Sequence, residues 1–165
     1  MQSNLRSRLV YIGIVAAILL LDRISKSAVA SRFDLGQPVP VIDGLFNITY
    51  VQNTGVAFGI FSSFSSPVKV FLLCSVAAIA AAAVIVYSLR SDARNRLLQG
   101  SLCLILAGAL GNLYDRIHYS YVIDFLEFHA RSYYWPSFNI ADTAISIGVI
   151  LLAWEMFRNE APRNA

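Results

Sequence analysis

The chain has 165 residues, 57% hydrophobic and 14% charged, with 13 Lys+Arg against 10 Asp+Glu for a formal charge of +3. Soluble domains carry about 25% charge, so this balance, with a mean hydropathy of +0.60, excludes a disordered chain, a nucleic-acid binder and most water-soluble enzymes. A small integral membrane protein remains, with 1–165 as a single domain.

Four apolar stretches predict helices over about 9–30, 68–89, 97–114 and 139–157. Each approaches the roughly 20 residues that cross a ~30 Å hydrocarbon core, and a helix satisfies the backbone polar groups that lipid cannot. A soluble helix needs a polar face, and VAAIAAAAVIV (76–86) has none. The expected fold class is an all-α integral membrane protein of four transmembrane helices, with a small extracytoplasmic β-hairpin or sheet and an interfacial loop segment. The first stretch imitates a signal peptide, with a basic start and Ala28-Val29-Ala30 at its end. Asp22, Arg23 and Lys26 interrupt it, and three further spans follow, so it reads as a retained span.

Arginines set the orientation. Arg6 and Arg8 precede the first stretch, Arg90, Arg94 and Arg96 fill the link between the second and third, and Arg158 and Arg163 follow the fourth. Lys/Arg-rich loops stay in the cytoplasm, which places both termini inside and the loops 31–67 and 115–138 outside. In the first outer loop, Val39–Ile42 and Leu45–Val51 flank Asp43-Gly44, a hairpin-turn dipeptide. The second holds Tyr119, Tyr121, Tyr133, Tyr134 and Trp135, as a headgroup-level segment does.

Little supports metal or nucleophile chemistry. Cys74 and Cys103 sit in separate apolar spans, and His118 and His129 lack metal-ligand spacing. The carboxylates Asp22, Asp115, Asp124 and Asp142 carry more weight, because ionisable groups at membrane depth are costly and usually functional. Asp22 and Asp115 have Arg23, Lys26 and Arg116 nearby as structural partners, whereas no basic residue lies within four positions of Asp124 or Asp142. Two carboxyls at one depth would share a proton, giving a base to activate water and an acid to assist. Asn53, Gly108, Gly111, Asn112 and Asn139 fall at the same outer level. Asn139 also fits a helix cap, and the glycines fit close helix packing. A proton-coupled transporter using the intramembrane aspartates, or a scaffold in which they only pair with arginines, stays open on these residues alone.

Five blocks taken together resemble the lipoprotein signal peptidase (signal peptidase II) family: LDRISK (21–26), QNTGVAFGIF (52–61), AGALGNLYDRI (107–117), YVIDFLEF (121–128) and WPSFNIADTAISIG (135–148). They occur in the family's order and cover nearly the whole chain. Ala107 departs from the usual glycine before Gly108. The resemblance implies a multi-pass aspartic endopeptidase of the bacterial inner membrane, its active site near the periplasmic face. It would remove the signal peptide from prolipoproteins whose cysteine carries diacylglycerol, cutting just before that cysteine. Asp124 and Asp142 match the family's catalytic pair, and Asp22, Asn53, Gly108, Asn112, Arg116, Asn139 and Ala141 its surrounding site residues. No metal or cofactor is implied. Membrane lipid and globomycin-type cyclic peptide inhibitors are the further partners. Val56–Phe61 would close over the bound segment.

Overall fold

A computed structural model describes residues 2–55, 67–131 and 133–160. Among them the element order is α1 (Gln2–Arg32), β1 (Val39–Ile42), β2 (Phe46–Asn53), α2 (Pro67–Arg90), α3 (Arg96–Tyr119), β3 (Val122–Ala130), β4 (Tyr133–Tyr134) and α4 (Ile140–Glu160). The segment expected to close over substrate, Val56–Phe61, and Arg163 lie outside the described residues.

Burial is inverted relative to a soluble bundle. Leu9, Ile12, Leu20, Phe71, Val76, Ile79, Ile150 and Phe157 are exposed, while Asp22, Lys26, Gln99, Asn112, Asp115, Asp124, Asn139 and Glu155 are buried. Water would not tolerate that outer surface, but hydrocarbon would. Among the described residues three helices, α2, α3 and α4, are long and apolar enough to cross a membrane. The fourth, α1, has the length but is uncharged only over the 13 residues Leu9–Leu21, between Arg8 and Asp22.

Helix α3 is the hub, packing against α1, α2 and α4. Its closest partner is α4, and small residues set that approach. A Cβ on Gly108 would run into the Ala141 carbonyl and, at 2.6 Å, Ile145 Cγ1. The helices therefore meet backbone to backbone, which fixes how Asn112 of α3 faces the first turn of α4. Ala107 is itself 1% exposed, so the departure from glycine there fits the packing.

The sheet is larger than a hairpin and corrects the expected loop 115–138. Helix α3 runs on to Tyr119, and YVIDFLEF forms most of β3, giving a four-stranded antiparallel sheet in the order β1-β2-β3-β4. The fold is mostly helical rather than all-α. The β1–β2 turn falls at Asp43-Gly44 as expected, with Leu45 N–H bonding Ile42 O at 3.1 Å and Gly44 at φ +74. Asp43 keeps a negative φ, so the loop is not the primed two-residue turn.

One irregularity matters for the site. Ile48 pairs with Leu126, but Val51 pairs with Asp124, so Thr49 and Tyr50 oppose Phe125 alone. Opposite residues of an antiparallel pair share a face. The extra residue changes the parity of β2 and brings Val51 and Asn53, rather than Tyr50 and Gln52, to the Asp124 face.

Candidate active site

Asp124 stands on β3 and Asp142 in the first turn of α4, and both line one cavity of about 780 Å³. The local sequence builds each position. Asn139 caps α4: its Oδ1 accepts the Asp142 N–H at 2.9 Å, and its own N–H donates back to Asp142 Oδ2 at 3.2 Å. This reciprocal pattern satisfies two helix-end donors and fixes the Asp142 carboxylate. Asn139 is thus a cap and a site residue together, through different atoms.

Neutral amides hold the pair. Asn53 Nδ2 donates to Asp124 Oδ2 at 2.9 Å and Asn139 Nδ2 to Asp124 Oδ1 at 2.7 Å, while Asn112 Nδ2 donates to Asp142 Oδ1 at 2.7 Å. Burial, with the Asp142 charge second, pushes the Asp124 carboxyl up to about 7, against the lowering effect of the two amides. Such a group exchanges a proton near neutrality, as a general acid or base must.

Behind the amides lies a charged cluster. Lys26 Nζ is completely buried and reaches Asp22 Oδ2 at 2.8 Å, Asp115 Oδ2 at 2.9 Å and Asn112 Oδ1 at 3.0 Å. The last bond and one from Asn139 Nδ2 at 3.2 Å set which way the Asn112 amide faces: with Oδ1 toward these donors, Nδ2 faces Asp142. Asp115 also takes Arg23 Nη1 at 2.5 Å and the Ile123 N–H at 3.2 Å, securing the strand residue beside Asp124. Asp22 Oδ1 accepts the Ala141 N–H at 3.0 Å, next to the α4 cap.

The expected site residues thus fall in two shells. Asn53, Asn112, Arg116, Asp124 and Asp142 line the cavity. Asn139 is buried behind the pair, and Asp22, Gly108 and Ala141 brace the helices. Arg116 bonds the carbonyls of Gly55 (3.2 Å) and Asn112 (3.4 Å). Of the structural partners expected for Asp115, Lys26 and Arg23 of α1 hold it, while its chain neighbour Arg116 bonds backbone carbonyls instead. Lys26 was absent from the expected site. The Asp22–Lys26 spacing within an apolar run was its sequence signal.

An inside-out helical chain with buried carboxyls opening on a cavity is the architecture of a membrane enzyme. The fold agrees, being similar to a solved structure described as a bacterial membrane enzyme determined by the in meso method at 2.3 Å resolution: TM-score 0.85, 30% identity, 94% of this chain and 92% of that one. A second, determined in the same way at 1.9 Å, gives TM-score 0.79 and 31% identity over 89% of this chain and 92% of the other.

The particular family follows from the sequence match. The model of the family described as Signal peptidase (SPase) II matches residues 14–158, and the chain belongs to that family. It is 45% identical to the lipoprotein signal peptidase of Geobacter sulfurreducens, covering 92% of this chain and 93% of the relative. It is 44% identical to that of Syntrophus aciditrophicus, over 89% and 91%. This membership does not favour the transporter alternative.

Proposed function

We propose that the protein is an aspartic endopeptidase that removes the signal peptide from diacylglyceryl-modified prolipoproteins, cutting just before the lipidated cysteine. The observation that carries this reading is the meeting of Asp124 and Asp142 on one cavity, hydrogen-bonded by amides. One carboxylate takes a proton from water as the oxygen attacks the scissile carbonyl carbon. The other, as the acid, protonates the developing oxyanion; on collapse it takes that proton back, while the first carboxyl passes the proton it took from water to the leaving amine. Arg116 and Asn53 on the cavity wall orient the substrate backbone. The cavity continues along α4 past Ser146 and Ile147 to Ile150, an apolar wall for the substrate's lipid or signal segment.

The proposed setting is the bacterial inner membrane. Helix α1 serves as a fourth span, both termini are cytoplasmic and 1–165 acts as one domain. The arginine asymmetry supports this topology. It puts the dyad near the periplasmic face, where the end of a signal peptide lies. Globomycin-type cyclic peptides would compete for the same cavity.

Incubating the purified protein with lipid-modified prolipoprotein and resolving the product tests the reading. A product shortened by the signal peptide, with much slower cleavage of the unlipidated precursor, is expected. Intact precursor, or equal rates with and without lipid, overturns it.

A further inference from the structure

The β2–β3 ribbon has a second worked face. The parity change that turns Asn53 toward Asp124 leaves Tyr50 and Ile123 on the opposite side. There they meet the end of α1 around a cavity of about 270 Å³, lined also by Arg23, Ser27, Ser31, Tyr119 and Tyr121. Among the described residues none is shared with the lining of the dyad cavity.

Its chemistry is one cation ringed by hydroxyls. The Arg23 guanidinium lies over the rings of Tyr114 and Tyr119, 4.7 and 5.7 Å from their centroids. Nη1 is engaged by Asp115, and among the described residues Nη2 makes two 3.4 Å contacts, to Ser27 Oγ and Tyr119 OH. Contacts of that length are weak, and a charged oxygen would replace them with shorter bonds. The Tyr50 and Tyr121 hydroxyls sit 3.5 Å apart. That contact, first among its causes, pushes Tyr121 up to about 12, so its phenol keeps its proton.

Helix α1 adds direction. Leu20, Ile24, Ser27 and Ser31 follow one helical stripe. Its lower half is bare hydrocarbon, with Leu20 60% and Ile24 58% exposed, and its upper half is the hydroxyl cavity. A small soluble anion would have no use for the lower half. An amphiphile with an anionic head would use both.

We propose that this cavity binds the phosphodiester of a membrane phospholipid, with Arg23 Nη2 and the Ser27, Tyr119 and Tyr121 hydroxyls on its oxygens and the acyl chains lying along Leu20 and Ile24. The site is separate from that of the substrate's diacylglyceryl group, which carries no phosphate. The proposal does not depend on which carboxyls cleave.

Binding to the purified protein in detergent, read by native mass spectrometry and thermal shift, tests this. The probes are phosphatidylglycerol, diacylglycerol with the same chains, and inorganic phosphate. Phosphatidylglycerol should bind at least about tenfold more tightly than diacylglycerol, and millimolar phosphate should not displace it. Ser27→Ala with Tyr121→Phe, which leaves the Arg23–Asp115 pair intact, should weaken phosphatidylglycerol about tenfold or more. Arg23→Gln should weaken it further wherever that variant folds. Equal affinity for the two lipids overturns the phosphate role, and displacement by phosphate alone reassigns the site to a soluble anion. Unchanged binding in the Ser27/Tyr121 variant overturns the location.

Discussion

Asp22 and Asp115 are held by cations, whereas the hydrogen bonds to Asp124 and Asp142 come from amides, and Asn112 belongs to both arrangements. A buried ammonium holds its carboxylates in place as ion-pair partners, because separating the charges in a low dielectric is costly. An amide is neutral: it orients a carboxyl and favours the charged form less than a cation does. The first arrangement suits a brace and the second suits a group that must gain and lose a proton. The pushed-up Asp124 carboxyl belongs to the second.

The comparison breaks if the two pairs respond alike to substitution. Asp124→Asn and Asp142→Asn should each cut cleavage by about 10²–10⁴-fold with the melting temperature nearly unchanged. Members of one catalytic unit are not additive, so the double variant should be hardly slower than either single one. Cleavage assays beside thermal melts decide this, and a folded, normally active Asp142→Asn protein would sink the assignment.

Lys26→Met attacks the brace. Removing one partner of a buried pair costs about 3–5 kcal/mol, so the protein should melt much earlier, and the Asn112 amide oxygen would keep only its Asn139 donor. Asp115→Asn should lie in between, with reduced thermal stability and a smaller loss of activity than either dyad variant. Should Asp115→Asn prove inactive yet stably folded, the division into brace and dyad fails.

Asn53→Ala leaves Asp124 with one amide donor fewer. A hydrogen bond to a charged group contributes about 1.5–3 kcal/mol, so cleavage should drop roughly 10–100-fold and its pH profile should move upward. A slower rate with an unmoved profile would mean that Asn53 acts on substrate alone.

Stability against pH supplies a further test. Asp124 titrates near 7 when folded against an ordinary 3.8. Its folded pKa is raised, so its stabilising protonation is complete below about pH 3.8 and is lost as pH rises through about 7. Between those limits the Asp124 contribution should fall by up to about 1.4 kcal/mol per pH unit. Subtracting the Asp124→Asn melting profile from that of the native chain isolates it, and a flat difference contradicts the placement of that carboxyl.

Much of this site was legible in the chain because polar residues are conspicuous against hydrocarbon. Asp124, Asp142 and the three asparagines stand out in apolar surroundings, and the structure brings them together. The sheet was harder to see. VIDF is buried on both faces of β3, so the alternation that marks a half-exposed strand is missing. Which of its candidate partners Asp115 takes was not legible, since Arg23 lies 92 residues away along the chain. The bulge at Thr49–Tyr50 has no glycine to announce it, yet it decides which face of β2 meets Asp124.

The 13 uncharged residues of α1 have a consequence for the bilayer itself. At 1.5 Å per residue they cover about 20 Å, well short of a ~30 Å hydrocarbon core. Were α1 a fourth span, the shortfall would be met by burying Asp22 and Lys26 in protein and by drawing the headgroup layer down beside Arg23. Such a local dimple shortens the path that a water molecule must travel to the carboxyl pair. Hydrolysis within a membrane would then be fed through thinned lipid, and bilayers of longer acyl chains should slow the enzyme.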